Sequence, residues 1–297
     1  MNGKVALFAG DGTLDLTLHV PRLPEPDEKV HVQAAWESTG GVIANAAVAC
    51  AMAGRAARAL IQAGADDAGV RVLAELAARG VDVSASIQSG ENCRVVVLIE
   101  PHGEKRLLLY PGSSLYPSLA QAQSIALCDI GWMHTAIYDR MAAEALIDRC
   151  RAAGIPWSID LEPASFAGGI ASLAAHLAGA AIAFCNSRAA DALGADAFAR
   201  LQAMGVRAVI LTEDPGGATW CEGRTRHHVA APAVVPVDTT GAGDCLAGWV
   251  IAGLMEGHAN DEALTDAVRA ASLSCTRPGA QLSYPSRDQV RISDDCP

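Results

Sequence analysis

Short apolar, β-branched runs alternate along this chain with Ala-rich stretches whose apolar positions recur at helical spacing. Residues 4–9 form an apolar run that ends in Gly10-Asp11-Gly12, a strand followed by a turn. Gly40-Gly41 opens an Ala-rich helix over 42–53, with Gly54 where a C-cap belongs. A short strand is predicted over 58–62 and a helix over 67–79. Further on, strands fit 129–134, 157–160, 181–185 and 208–212, and helices fit 141–153, 187–193 and 197–204. This βαβα order predicts an α/β fold: a doubly wound parallel sheet with helices on both faces. Three segments fall outside that order. Residues 29–33 alternate like an exposed strand, and 94–100 and 105–110 read as strands joined at Pro101-His102-Gly103-Glu104. They predict a small separate β-sheet built from insertions near 14–38 and 92–112 of a single domain spanning 1–297.

Composition narrows the function. The chain has 297 residues, 51% of them hydrophobic, so a large α/β core can be buried. Its formal net charge of −11 leaves no basic stripe to neutralise nucleic-acid phosphates. Nine cysteines, an odd number with no CxxC pair, predict reduced thiols rather than a zinc site or disulfide framework. The first ten residues lack the features of a signal peptide, and the longest apolar stretch, 170–185, is short for a membrane span. That stretch reads as a helix running into a core strand. A soluble, cytoplasmic protein is expected, with no nucleic-acid or membrane partner.

Candidate chemistry concentrates in Val237-Asp238-Thr239-Thr240-Gly241-Ala242-Gly243-Asp244. A β-branched run, 234–237, leads in and a long apolar segment, 245–255, leads out, which predicts strand, glycine turn and helix N-terminus. First-turn amides have no intrahelical partner and carry the positive end of the helix dipole. Glycines let those amides converge on one anion. Asp244 follows at once. Amides that hold phosphate charge beside a carboxylate that takes a hydroxyl proton suit phosphoryl transfer to an alcohol. A bare Gly-x-Gly-Asp is more often an ordinary capped helix; the complete string is far more specific.

This string resembles the C-terminal signature of the ribokinase-like (PfkB) family of sugar and nucleoside kinases, and the resemblance extends to the N-terminal third and the tail. It implies a doubly wound domain with a small β-lid. It implies Asp244 as catalytic base, with the amides of Gly241, Ala242 and Gly243 stabilising the moving phosphoryl group. Asp15 would accept hydrogen bonds from sugar hydroxyls, Gly40 and Gly41 would form the lid hinge, and Asn45 would contact the sugar. Thr13 stands where ribokinases often carry Asn, and Val42 where they carry Lys, so ribose is not assumed. On the nucleotide side the resemblance implies Asn186, Thr212 and Gly217, together with Gly241 and Gly243. The acidic residue of the family's Asn-x-x-Glu motif is replaced by Ala189, with Asp191 nearby, and a glycine after Thr212 is replaced by Asp214. Asp160 and Glu162 offer carboxylates that could order metal-bound water. There is no GxxxxGK and no GxGxxG. The tail 274–283 is similar to a segment whose backbone carbonyls, with those of the Asp-Thr-Thr turn, bind a monovalent cation; the corresponding residues are Asp238, Thr240, Ser274, Arg277, Gly279 and Ser283.

The expected activity is ATP- and Mg2+-dependent phosphorylation of a primary hydroxyl of a sugar or sugar-like molecule, with K+ as a further cofactor. The alternatives are a 2-keto-3-deoxysugar-acid kinase, a nucleoside kinase, and a catalytically inactive sugar-binding regulator on the same fold. Lys29, Tyr110 and His134 could also reach substrate, while His31, His102, His227 and His228 read as solvent-exposed. Val30, Val32, Val96 and Leu98 share an alternation phase, which predicts an apolar lid face that pairs in a homodimer.

Overall fold

The computed structural model describes residues 3–292 apart from Ala85, Gly103 and Ser114. Cys296 and the Gly103 hairpin tip therefore lie outside the described residues. The chain begins β1 (Val5–Gly10), β2 (Thr13–His19), β3 (Ala34–Gly40), α1 (Val42–Met52), β4 (Ala57–Ala63), α2 (Asp67–Ala78), β5 (Val81–Asp82) and β6 (Ile87–Gln88). It continues through β7 (Arg94–Ile99), β8 (Lys105–Tyr110), α3 (Leu119–Ser124), β9 (Ile130–Ala136), α4 (Arg140–Ala152), β10 (Trp157–Leu161), α5 (Ala174–Leu177) and β11 (Ile182–Asn186). It ends with α6 (Ser187–Leu193), α7 (Ala197–Ala203), β12 (Ala208–Thr212), β13 (Ala218–Glu222), β14 (Thr225–Val229), α8 (Ala242–Glu256), α9 (Asn260–Ser274) and α10 (Arg287–Ile292).

The main sheet runs β14-β13-β12-β11-β10-β9-β1-β4-β5, with β6 beside β4. Strands β5, β4, β1, β9, β10, β11 and β12 are parallel neighbours; β13 and β14 close one edge as an antiparallel hairpin. The central strand β1 reads as one apolar run because it is covered on both faces; Ala6, Leu7, Phe8 and Ala9 are fully buried. One face packs on α1, α8 and α9, the other on α4 and the segments around α5 and α6. The chain leaves β1 towards β4 on one side and later adds β9 on the other, so the strand order switches at the C-terminal end of β1. Ligands of doubly wound sheets bind at such a point.

Helix α1 is apolar nearly all round because it is sandwiched between the sheet and α8. The helices approach closely: a Cβ on Gly248 would lie 2.4 Å from the Ala46 carbonyl oxygen. This contact aligns the first turns of the two helices and brings their polar residues, Asn45 and Asp244, face to face.

A second, four-stranded sheet, ordered β3-β2-β7-β8, projects from the crevice. Its register pairs Asp15 with Ser38 and Val95, and Val95 with Leu109. Alternation places Thr17, Val97, Leu107 and Lys105 on the same face as Asp15. Leu16, Leu18, Val96, Leu98 and Leu108 occupy the opposite face.

Several sequence expectations need correction. Residues 29–33 form no strand; three prolines, at 21, 24 and 26, hold 20–33 as a connection, and the strands are β2 and β3 on either side. Val30 and Val32 are therefore not part of the lid sheet, while Val96 and Leu98 are. Residues 234–237 are coil with Val235 and Val237 exposed, and the Val237 amide donates to Cys275 O at the end of α9 rather than to a strand. The hairpin β13–β14 and helix α9 were not anticipated, and His227 and His228 lie on β14. The 170–185 stretch resolves into a 3-10 turn, the one-turn helix α5 and β11.

Candidate active site

The crevice is assembled from three chain segments. The first follows β1. Asp11 accepts hydrogen bonds from the Val42 and Ile43 amides at 3.1 and 3.0 Å, which caps α1 from a distant loop. Gly41, the residue before α1, has φ 101. A Cβ there would meet the Asp11 carbonyl at 2.9 Å, so the close approach requires glycine. Asp15 sits on β2, where Thr13 Oγ1 donates to its Oδ1 at 2.5 Å. Gly40 lies beneath this pair, and a Cβ on it would fall 2.3 Å from Asp15 Oδ2.

The second segment is the α8 N-terminus. Gly241 adopts φ 75, turning the chain into the helix, and Tyr284 Oη donates to its carbonyl at 2.9 Å. A Cβ on Gly243 would meet nothing within 4 Å, so that residue faces open space. The Ala242 amide makes a long 3.4 Å contact back to Thr239 O. The first-turn amides of α8 thus bound a gap just outside the helix.

Asp244 is fixed from α1. Asn45 Nδ2 donates to its Oδ2 at 2.8 Å, and Gln281 Nε2 donates to Asn45 Oδ1 at 3.0 Å. Thr39 Oγ1 reaches Gln281 Oε1 at 3.1 Å and Glu75 Oε2 at 2.9 Å. This chain sets the Asn45 amide so that its NH2 end faces the carboxylate. Asn45, which the family resemblance assigns to the sugar, bonds Asp244 in this arrangement. Gln281, Thr39 and Asp11 were missed as participants. Only Asp11 left a signal, an acidic residue between two glycines at a strand end.

The crevice concentrates carboxylates. Burial pushes Asp244 up to about 8, opposed by the Asn45 hydrogen bond and reinforced by Asp11, Glu162 and Asp15. Burial likewise raises Asp15 to about 6 and Asp11 to about 7, and holds Asp160 well above the usual range beside Asp244 and Glu162. Tyr138 Oη donates to Glu162 at 2.5 Å. These groups cannot all ionise in an empty crevice; a bound cation, or a substrate that donates hydrogen bonds, would relieve them.

The third segment joins the Asp238–Thr240 turn to the tail. The Asp238 carboxylate accepts from Thr240 N, Thr240 Oγ1 and Gly279 N at 2.9, 2.7 and 3.0 Å, and from Lys105 Nζ at 3.1 Å. Ser274 and Ser283 hydroxyls donate to Ala271 O and Ala280 O, and Arg277 is exposed. Turn and tail do meet. Thr240 N, Thr240 Oγ1 and Lys105 Nζ converge on Asp238 Oδ1, and Gly279 N takes Oδ2.

On the nucleotide side Asn186 and Thr212 are register partners at the C-terminal ends of β11 and β12. The Asn186 side chain caps α6 by accepting from Ala189 N at 2.9 Å. Gly217 has φ 106 and lies against β14, where a Cβ would strike Val229 O. Asp214 holds φ 51, a left-handed conformation that explains why glycine suits this position. His134 is not in the crevice. It is fully buried between Phe8 and Phe184, its Nδ1 2.9 Å from Ser158 Oγ. Lys29 is exposed, and Tyr110 Oη donates to Glu91 on the lid rim at 2.5 Å. Among the described residues no cluster of three or more His, Cys, Asp or Glu is arranged to hold a metal, and no helix is long and apolar enough to cross a membrane.

The chain is 28% identical to an ATP-dependent ribose-1-phosphate kinase of Halopiger xanaduensis, covering 96% of each, and 28% identical to a ribokinase of Bacillus subtilis, covering 95% of this chain and 96% of that one. Its fold matches a ribokinase of Thermotoga maritima with a TM-score of 0.84 at 23% identity, covering 99% of both chains. It also matches an Arabidopsis thaliana ribokinase, complexed with ribose and ATP, with a TM-score of 0.83 at 22% identity over 98% of each. The profile of the pfkB family carbohydrate kinases matches residues 7–287. With a doubly wound sheet, a separate small sheet and a carboxylate behind a glycine-rich helix N-terminus, the chain belongs to the pfkB family of carbohydrate kinases.

Proposed function

We propose that this protein transfers the γ-phosphoryl group of ATP to a primary hydroxyl of a neutral sugar or sugar-like molecule. The observation that carries the reading is the Asp244 carboxylate, held 2.8 Å from Asn45 Nδ2 one residue beyond the Gly241–Gly243 amides. Asp244 takes the proton of the attacking hydroxyl. The amides of Gly241, Ala242 and Gly243 stabilise charge on the moving phosphoryl group. Asp15, oriented by Thr13, accepts from sugar hydroxyls on the lid side. Asn186 and Thr212 lie at the strand ends where the nucleotide would rest.

Magnesium would be carried on the nucleotide phosphates and supply their charge neutralisation, with Asp160 and Glu162 ordering its water. Asp11, Asp15 and Asp244 already crowd the pocket with carboxyl groups whose ionisation is mutually opposed, and the carboxylate of a sugar acid would add to that repulsion. The Halopiger relative is described as acting on a phosphorylated sugar; that substrate would meet the same repulsion here. Paired lids of a homodimer would cover the apolar outer face of the small sheet, Leu16, Leu18, Val96, Leu98 and Leu108. An ATP-consumption screen over pentoses, hexoses, ketoses, sugar acids, sugar phosphates and nucleosides tests the reading. Turnover with a neutral sugar is expected. Binding of sugars without ATP turnover would instead indicate an inactive sugar-binding regulator.

A further inference from the structure

Lys105 reaches the crevice from the lid. It opens β8, the edge strand of the lid, and its alternation puts it on the face that carries Asp15. Its Nζ lies 2.6 Å from Thr240 Oγ1 and 3.1 Å from Asp238 Oδ1. It therefore crosses from the lid to the turn that precedes the α8 amides. Asp238 is the hub of that turn. It gathers Thr240 N and Oγ1 within the turn and Gly279 N from the tail, and Thr240 is bonded directly to Gly241. A bare carboxylate this close to a phosphate site would repel the phosphates. Its charge must be answered by a cation.

We propose that the ammonium of Lys105 is that cation: a lid-borne positioning residue that orders the anion hole when the lid is seated. Three donors converge on Asp238 Oδ1, with the Lys105 ammonium among them, so the lid cation is part of the network that holds this turn. The same side chain bonds Thr240 Oγ1, so removal of the lid cation loosens the residue next to Gly241. The two ends of one sheet face would then report on both halves of the reaction, Asp15 on the sugar and Lys105 on the phosphate turn. The inference rests on the kinase reading for its consequence, but not for its geometry.

The test compares the parent with Lys105→Met and Lys105→Arg. Lys105 is partly exposed at the lid edge, so both variants should fold, and thermal melting checks this. Amide hydrogen exchange of Thr240, whose N–H is held by Asp238 Oδ1, should speed up without substrate in Lys105→Met by about ten-fold or more, the equivalent of one charge-assisted bond, and return towards parent rates in Lys105→Arg. Lys105→Met should also lose turnover, with the loss in kcat rather than in the KM for sugar. Parent-like exchange of Thr240 in Lys105→Met overturns the proposal. If the parent phosphorylated no sugar but the exchange result held, the kinase reading would fail and the Lys105 contact would stand.

Discussion

Replacing Asp244 by Asn keeps the shape of the side chain and removes its charge. Two consequences follow in opposite directions. Turnover should fall by about two to four orders of magnitude, the range for a lost general base. Stability should rise. In the empty crevice burial and the neighbouring carboxylates Asp11, Glu162 and Asp15 push Asp244 from the usual 3.8 up to about 8. Between those values the native protein holds a proton that the unfolded chain has released. This group therefore makes the substrate-free protein lose stability as pH rises from about 4 to about 8. At about 1.4 kcal/mol per pH unit, that gap sets a ceiling of about 6 kcal/mol. The side chain is only part-buried at the mouth of the crevice, so solvent screening reduces the expected gain to about 1–3 kcal/mol. The assay is chemical denaturation of parent and Asp244→Asn at pH 5 and pH 9 without ligand, beside turnover with the sugar found by screening. The variant should be the more stable one at pH 9, with the difference shrinking at pH 5. The parent's kcat/KM should climb with pH towards 8. Near-normal turnover in folded Asp244→Asn would refute the proton-transfer role. Equal stability at both pH values would refute the electrostatic reasoning.

Three further outcomes are expected. Asp15→Ala should weaken sugar binding by about 1.5–3 kcal/mol, the value of a hydrogen bond to a charged acceptor, and calorimetry giving equal affinities would leave Asp15 as a turn residue. Gly40→Val should damage sugar binding more than ATP binding, because a Cβ there would lie 2.3 Å from Asp15 Oδ2; unchanged sugar KM would contradict the contact. Light scattering should report a dimer, with Leu108→Glu on the outer lid face, where Leu108 is 60% exposed, shifting it to monomer; a fully active parent monomer would mean the face stays solvated.

What the sequence determined by itself was whatever rests on local pattern. Fully buried parallel strands are continuous apolar runs, so β1, β4 and β9 to β12 could be read from hydrophobicity within a residue or two. The eight-residue string ending in Asp244 was legible because glycine turn, helix start and carboxylate are adjacent along the chain. The apolar run 234–237 misled for the complementary reason: β-branched residues favour a strand, but a strand also needs a paired neighbour, and in the fold the Val237 amide goes to the end of α9 instead. The hairpin β13–β14, rich in His, Arg and Thr, was missed because it lies at the sheet edge and carries weak apolar periodicity. Tertiary structure alone decided how the site is joined. Asn45 meets Asp244 across 199 positions of sequence, Gln281 orients Asn45 across 236, and Lys105 reaches Asp238 across 133. Such contacts depend on how helices and sheets pack, through glycines such as Gly248 that let α1 and α8 touch. Raised carboxylate values belong to the same class, since burial and crowding of charge exist only once distant segments have been folded around one crevice.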